Sequence, residues 1–137
     1  IYMTFCGVEQ CSAGFTVGPW ARKNYHLHVI LSGQGTLEVR GQVFPLHENQ
    51  AFLLKPGEEA RYQADEQSPW RYCWVTYNGT EAKRLSEEIG FTENVYCLES
   101  DAEPKAFYEM VLRMYEKPEM NYTSDLYRRG APLHHNL

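Results

Sequence analysis

Two histidines stand one residue apart in the stretch NYHLHVILSGQG, residues 24–35. Side chains at positions i and i+2 of a strand point to the same face, so His26 and His28 could share a metal ion. A metal site needs at least a third protein ligand, and neither Glu38 beyond the turn nor His47 in a polar loop has a suitable spacing. We therefore expect no metal and no other cofactor.

Aromatic side chains favour an organic ligand instead. In WRYCWVTY, Trp70, Tyr72 and Trp74 fall on one strand face, and Tyr62 comes from the strand just before. A single aromatic residue at this spacing is usually core. Here four aromatic residues are expected beside Arg22 and the two histidines, and their polar atoms need hydrogen-bond partners when buried. An apolar wall with a few polar groups is typical of a small-molecule pocket. The alternative is a purely structural aromatic core.

Motifs for catalysis are absent from the sequence. It has no Gly-x-Ser-x-Gly, no phosphate-binding loop and no Cys/His arrangement at a recognisable spacing. The carboxylates are numerous mainly in the second half of the chain, where charge usually marks a solvated helix face. We therefore expect a binding domain that is not an enzyme.

Short strands separated by turns are expected to position these residues. Turn signals recur every 8–12 residues up to residue 79 with no helical pattern between them, which indicates an antiparallel barrel or sandwich. The strand YHLHVIL is apolar or aromatic on both faces, so we expect it to be covered on both sides. Ser32-Gly33-Gln34-Gly35, Arg40-Gly41-Gln42 and Pro56-Gly57 are the strongest turn signals.

Helical patterns begin after Asn78-Gly79. The first predicted helix runs through EAKRLSEEI, with Thr80 as its cap and Ala82, Leu85 and Ile89 on one apolar face. A second is expected after Pro104, where an apolar stripe comprises Ala106, Phe107, Met110, Val111 and Met114. A third begins near Thr123 and is interrupted by Gly130 and Pro132. The sequence thus predicts a mainly β fold with two or three C-terminal helices.

Length, charge and cysteines limit the function classes. A chain of 137 residues is one domain, and its net charge of −5 without a basic cluster does not fit a DNA backbone. Four scattered cysteines without a CxxC pair favour free thiols, although Cys6 and Cys11 could in principle bridge. With no signal peptide or membrane segment, we expect a soluble cytoplasmic protein. The first residue, Ile1, suggests a fragment of a longer protein.

Three spaced motifs carry a family resemblance. The run from FCGVEQCSAGFTVGP through NYHLHVILSGQGTLEV and AFLLKPGEEARYQAD to PWRYCWVTYNG resembles the N-terminal effector-binding domain of AraC-family transcription regulators, in particular sugar-responsive regulators of Gram-positive bacteria. The likeness covers nearly the whole chain, with the LSGQG turn, the LLKPGE turn and the PWRYCWVTY strand in the right order.

The resemblance implies a cupin-like barrel, that is a double-stranded β-helix or jelly roll, followed by dimerisation helices. Residues 1–79 would form the ligand-binding barrel with an N-terminal arm, and residues 80–137 the helical dimerisation or packing segment. A helix-turn-helix domain would follow and would make all contacts with DNA. The ending GAPLHHNL is either natural or derived from cloning, and the sequence leaves both open.

The resemblance also sets the histidines in a register. Counted back from Gly33, the glutamate of the first metal-cupin motif falls on His26, and its two histidines fall near Trp20 and Arg22. The histidine of the second motif falls near Ala60 or Arg61. Most of the ligand positions therefore hold residues that do not bind a metal, but Arg22 and His26 are expected to point into the barrel as ligand contacts.

Sugar contacts of the arabinose-responsive member of the family can be matched by motif. They fall on Tyr62, Tyr72 and Trp74, but the family has a histidine where Tyr72 stands, which puts arabinose itself in doubt. The family arginine falls on Gly18, and we infer that Arg22 supplies its charge.

The leading hypothesis is therefore a sugar-sensing and dimerisation domain of a regulator of carbohydrate metabolism. It would bind a small sugar effector, form a homodimer in the longer protein and have no membrane contact. A small cupin enzyme, such as a sugar isomerase or an oxygenase, and a purely structural dimerisation module are the alternatives. The expected ligand contacts are Arg22, His26, His28, Tyr62, Tyr72 and Trp74.

Overall fold

A computed structural model describes residues 2–99 of the chain, with side chains from Cys6 onward. Within this range, nine strands and one helix follow one another along the chain. They are β1 (Tyr2–Gln10), β2 (Thr16–Ala21), β3 (Tyr25–Ser32), β4 (Gln34–Val39), β5 (Gln42–His47), β6 (Gln50–Leu54), β7 (Glu59–Ala64), β8 (Arg71–Asn78), α1 (Ala82–Ile89) and β9 (Cys97–Glu99).

The strands form two antiparallel sheets. The first has the order β1-β8-β3-β6-β9 and the second the order β2-β7-β4-β5. Both sheets contribute buried side chains to one core, such as Phe52 and Tyr72 from the first sheet and Leu37 and Tyr62 from the second. This mainly antiparallel β-sandwich or barrel is the fold that the strand pattern predicts.

Turn chemistry explains why the strands end where they do. Arg40 and Gly41 join β4 to β5, and both have positive φ angles, of 54° and 74°. Two such residues are the signature of a type I′ turn, whose twist matches that of a hairpin. Gly33 separates β3 from β4 with φ of 77°, again in the left-handed region that glycine adopts readily.

Alternation along β3 places its side chains in two different cores. His28 and Ile30 face the core between the sheets, whereas Leu27 and Val29 belong to a second apolar cluster on the opposite face of the first sheet. Phe91, which follows α1, packs in that second cluster. The prediction that this strand is covered on both sides is thereby confirmed, because side chains from its two faces are buried in separate clusters.

The helix forms where it was expected, but its capping and its buried face differ. Its N-cap is Glu81 and no side chain makes a capping hydrogen bond, so the cap predicted at Thr80 is wrong. Leu85 and Ile89 are exposed, and the buried helix residues are Ala82 and Ser86.

Hydrogen bonding explains the choice of helix face. The Ser86 hydroxyl donates to the Ala82 carbonyl at 2.9 Å and lies 2.6 Å from the buried hydroxyl of Tyr77. A buried phenol needs a partner, and Ser86 supplies one that Leu85 could not. The helix is therefore oriented by a polar pair between its own residue and β8, a pairing that apolar periodicity does not reveal.

The first sheet extends beyond residue 79, where the sequence places the end of the barrel. Strand β9 pairs with β6, and the backbone N–H of Leu53 donates to the carbonyl of Tyr96 at 2.9 Å. Tyr96 is itself buried in the core between the sheets. The helices expected after Pro104 and near Thr123 lie outside the described residues.

Two further features bear on the expectations above. None of the four cysteines, all of which fall within the described range, forms a disulfide. The single described helix is too short and too polar to cross a membrane.

Candidate functional site

The six side chains expected to contact a ligand come together between the two sheets. His28 is fully buried, and its ring stacks on Phe52 at a centroid distance of 4.5 Å. The ring of Tyr72 meets it edge-on at 4.8 Å and that of Tyr62 at 5.0 Å. Trp74 follows at 6.3 Å from Tyr72. The predicted common face of Tyr72 and Trp74 is thus confirmed, and β7 brings Tyr62 to it.

Arg22 brings a cation into this aromatic cluster. It follows β2, is only 4% exposed, and holds its guanidinium carbon 5.5 Å from the ring centroid of Trp20 and 5.7 Å from that of Tyr62. Its carbonyl accepts a hydrogen bond from the backbone of Gly57 at 2.9 Å, which ties this segment to the Pro-Gly turn. Burial lowers the pKa of Arg22, and the Tyr62 and Tyr72 hydroxyls act against that shift. An arginine stays charged at neutral pH.

His26 is a neutral imidazole beside that cation. It is 3% exposed and pairs in register with Thr76 of β8. Burial, and after it the charge of Arg22, lowers the pKa of His26 from its usual 6.5 to about 3. A neutral ring has one N–H donor and one acceptor nitrogen, which suits a hydroxyl group that must both give and receive a hydrogen bond.

This depressed pKa predicts a pH dependence of stability. The unfolded chain binds a proton at His26 below about pH 6.5, whereas the folded chain does so only near pH 3. The contribution of His26 to the free energy of unfolding is therefore fully present above pH 6.5 and is lost as the pH falls towards 3. We expect the free energy of unfolding to drop by about 2 kcal/mol between pH 7 and pH 5 through His26 alone.

Urea denaturation at the two pH values measures this drop. His26→Gln should lose most of it, whereas the same substitution at His47, which is exposed at the end of β5, should leave it unchanged. An equal pH dependence in the wild type and His26→Gln would contradict the assignment.

The two tyrosine hydroxyls are held as hydrogen-bond donors. Burial strongly raises the pKa of Tyr62 and of Tyr72, so both phenols stay protonated. Trp74 completes the wall by packing on Gly7 of β1, where an added Cβ would lie 2.5 Å from the indole. The absence of a side chain at Gly7 is thus what lets the indole lie against β1.

Three residues near the site are missing from the predicted set of ligand contacts. Glu9 of β1 is opposite Tyr72 in register, and its charge raises the pKa of both Tyr62 and Tyr72. Thr76 is buried beside His26, and Trp20 lies over Arg22. All three depend on pairings between distant strands, which local periodicity does not contain.

Among the described residues, the His-x-His pair has no third metal-binding side chain beside it. Both histidines face the same core, but the ring neighbours of His28 are Phe52, Tyr62 and Tyr72. Among the side chains that the structure describes, no group of three or more His, Cys, Asp or Glu residues could hold an ion.

An open cavity lies elsewhere on the molecule. A space of about 350 Å³ beside α1 is lined by residues including Tyr25, Lys55, Glu58 and Phe91, and by none of the six predicted contacts. Three of its charged side chains have partners, since Glu58 pairs with Arg40 at 2.7 Å and the Lys55 ammonium donates to the Thr92 carbonyl at 2.7 Å. The predicted contacts are instead packed against one another, each less than 5% exposed.

The side chains of the interior cluster offer hydrogen-bonding groups between aromatic rings. Arg22 contributes a fixed positive charge, the two phenols contribute donors, and His26 contributes one donor and one acceptor. Indole and phenol faces offer apolar surfaces for stacking. Such a set suits a small ring that carries hydroxyl groups on its edge and C–H groups on its faces.

Comparison with known proteins identifies the family of the chain. Residues 2–128 match the family model described as the AraC-like ligand binding domain. The Msm operon regulatory protein of Streptococcus mutans is 34% identical over 105 residues, which are 77% of this chain and 37% of that one. The lactose operon transcription activator of Staphylococcus xylosus is 26% identical over 101 residues, which are 73% of this chain and 36% of that one.

A solved structure supports the fold alone. The cupin domain of Cnp3 from Schizosaccharomyces pombe is 17% identical, with a TM-score of 0.51 over 65% of this chain and 64% of that one. The chain spans little more than a third of the length of these two curated relatives. Because the family model covers nearly all of the sequence, the chain belongs to the family of AraC-like ligand binding domains.

Proposed function

We propose that this domain senses a sugar effector for a transcription regulator of carbohydrate metabolism. The observation that carries the proposal is the placement of Arg22, a buried cation, against the ring of Tyr62 and beside the neutral imidazole of His26. A buried guanidinium beside an aromatic ring can donate several hydrogen bonds to the oxygens of a polar ligand. The names of the relatives, an msm operon regulator and a lactose operon activator, support a carbohydrate as the effector.

The sugar would bind between the two sheets. Trp74 would stack on the C–H face of the sugar. Tyr62 and Tyr72 would donate hydrogen bonds to its hydroxyl or ring oxygens, and Arg22, which can only donate, would form several more. His26, His28 and Glu9 would complete the edge of the site. The two oxygens of the Glu9 carboxylate can accept from two neighbouring hydroxyls, whereas the guanidinium of Arg22 can only donate.

Binding requires a rearrangement, because these contacts are closed to solvent in the structure. Strand β1 lies at the edge of its sheet and covers Trp74 through Gly7. A sugar that holds β1 in one arrangement better than in another would convert occupancy into a signal. This coupling follows from differential affinity and needs no catalytic step.

We infer further that the domain binds its ligand without transforming it. Its relatives are named as a regulatory protein and a transcription activator, and the proposed contacts include no metal ion. Elemental analysis of the purified protein provides the check. Stoichiometric zinc, iron or manganese would contradict the proposal and favour a cupin enzyme.

The longer protein would act in the cytoplasm as a homodimer and contact DNA through another segment. The net charge of −5 supports this division, since a phosphate backbone attracts clustered cations. The predicted stripe at residues 106–114 is the proposed packing or dimer surface. Sedimentation of the 137-residue chain at several concentrations would show whether it associates by itself.

Titration calorimetry with monosaccharides and disaccharides tests the sugar proposal. We expect binding by at least one sugar, weakened about tenfold or more by Trp74→Ala and by about three- to tenfold in Tyr72→Phe, which keeps the ring and loses only the hydroxyl. Val43→Ala, at an exposed site on β5, is the control and should bind as the wild type does. A wild type that binds no sugar, or a Trp74→Ala variant with unchanged affinity, would refute the site.

A further inference from the structure

Trp20 is an aromatic side chain that the fold leaves half in water. It is 49% exposed, whereas Trp70 and Trp74 are buried. Val43, Leu85 and Ile89 are the other large hydrophobic side chains exposed within the described residues, and all three are aliphatic. A half-exposed indole presents a large apolar face to water, on which a ligand could stack.

Strand pairing shows that Trp20 belongs to the inward-facing row of its sheet. It is opposite Ala60 in β7, and Ala60 is opposite Val39 in β4. Side chains opposite one another in an antiparallel sheet point to the same face, and both Ala60 and Val39 lie in the core. Trp20 stays accessible because β2 is an edge strand. Its indole therefore lies where the interior meets the solvent.

The guanidinium of Arg22 connects this exposed ring to the interior cluster. Its central carbon lies 5.5 Å from the ring centroid of Trp20 and 5.7 Å from that of Tyr62. An accessible indole, a buried cation and a buried phenol thus lie next to one another, in the order in which a ligand entering from solvent would meet them.

We propose that Trp20 is the stacking platform for a second saccharide unit, so that the effector is an oligosaccharide and not a monosaccharide. This inference rests on the proposed sugar-sensing function. One unit would lie among Tyr62, Tyr72 and Trp74, and the next would lie on the open face of Trp20. Arg22, between the two, would hydrogen-bond oxygens near the linkage.

Packing explains why the second unit would lie at Trp20 and not deeper. The interior already holds closely spaced rings, with His28 and Phe52 stacked at 4.5 Å and Tyr62 and Tyr72 at 6.2 Å. Admitting one sugar unit requires these rings to shift, and a second unit would displace still more of the core. The open part of the indole offers apolar surface at no such cost. It matches the C–H face of a pyranose, whose hydroxyls would stay in water.

Matched sugars test the proposal on the 137-residue chain. Galactose would be compared with lactose and melibiose, and glucose with maltose and sucrose, by titration calorimetry. For the disaccharide that binds the wild type best, we expect Trp20→Ala to weaken binding about tenfold, while affinity for the matching monosaccharide stays within about twofold. Trp20→Phe, which keeps an aromatic face, should retain most of the affinity. Val43→Ala is the control for an exposed apolar side chain.

Fluorescence quenching gives a second readout that needs no variant. Of the three tryptophans in the chain, Trp20 is the exposed one and should account for most quenching by acrylamide. The bound disaccharide should protect this component, and the monosaccharide should not. Trp20→Phe should remove both the quenchable component and the protection.

The outcomes separate the two proposals. If disaccharides bind the wild type and Trp20→Ala equally well, or if quenching is unchanged on binding, the role of Trp20 is refuted while sugar sensing stands. If a monosaccharide binds as tightly as the disaccharides that contain it, the proposal of a second saccharide unit on Trp20 is also refuted. If no sugar of the panel binds the wild type, sugar sensing itself fails and this inference fails with it.

Discussion

Replacing Gly33 by alanine is expected to lower the free energy of unfolding by about 3–4 kcal/mol. Gly33 has a φ of 77°, where an L-residue is strained by about 1–2 kcal/mol. An added Cβ would also lie 2.5 Å from the carbonyl oxygen of Pro69 and 2.8 Å from the Cα of Trp70. Backbone atoms cannot rotate away as a side chain can, so the segment that delivers Trp70 to the core would have to shift.

Gly41 supplies a matched control for this substitution. Its φ of 74° is nearly the same, but an added Cβ would meet no atom within 4 Å. Gly41→Ala should therefore cost only the conformational strain, about 1–2 kcal/mol. Urea denaturation of both variants measures the difference. An equal decrease in the free energy of unfolding for both variants would mean that the close approach to Pro69 does not destabilise Gly33→Ala.

Replacing Arg22 by methionine is expected to abolish most sugar affinity while leaving the fold intact. A buried charged donor that contacts a ligand is worth more than an exposed one, and its loss should weaken binding about 100-fold or more. The fold should tolerate methionine, because an apolar chain of similar length removes a desolvated charge from the interior. Stability should stay equal to the wild type or rise.

Two measurements separate this effect from a general loss of structure. Thermal or urea unfolding should show unimpaired stability, and the pKa of His26, followed by NMR, should rise because the charge of Arg22 contributes to its depression. Arg71→Met, at an exposed site on β8, is the control for removal of a cation. Retained sugar binding in Arg22→Met would remove Arg22 from the proposed site.

Strand positions and the aromatic face could be predicted from the sequence because both depend on local rules. Turn residues such as Gly33 and Gly41 mark where strands end, and period-two alternation puts Trp70, Tyr72 and Trp74 on one face. The same alternation places His26 and His28 on one face. The ligand contacts themselves stay a prediction, but the structure does bring these side chains together.

Helix packing and the sheet edges could not be predicted in this way. The sequence predicts an apolar face of Ala82, Leu85 and Ile89, but only Ala82 of these is buried, because the Tyr77–Ser86 hydrogen bond orients the helix. The short strand β9 has only three residues, too few for periodicity to identify, and it exists because β6 offers an unpaired edge.

The sequence by itself determined the mainly β architecture, the turns and the composition of the aromatic cluster, since each depends on residues close together in the chain. Only the tertiary structure decided that Arg22 lies between Trp20 and Tyr62, that Glu9 is opposite Tyr72, and that Trp20 stays open to solvent. The physical reason is that burial and charge at these positions depend on which distant strands pair and which strand is left at an edge.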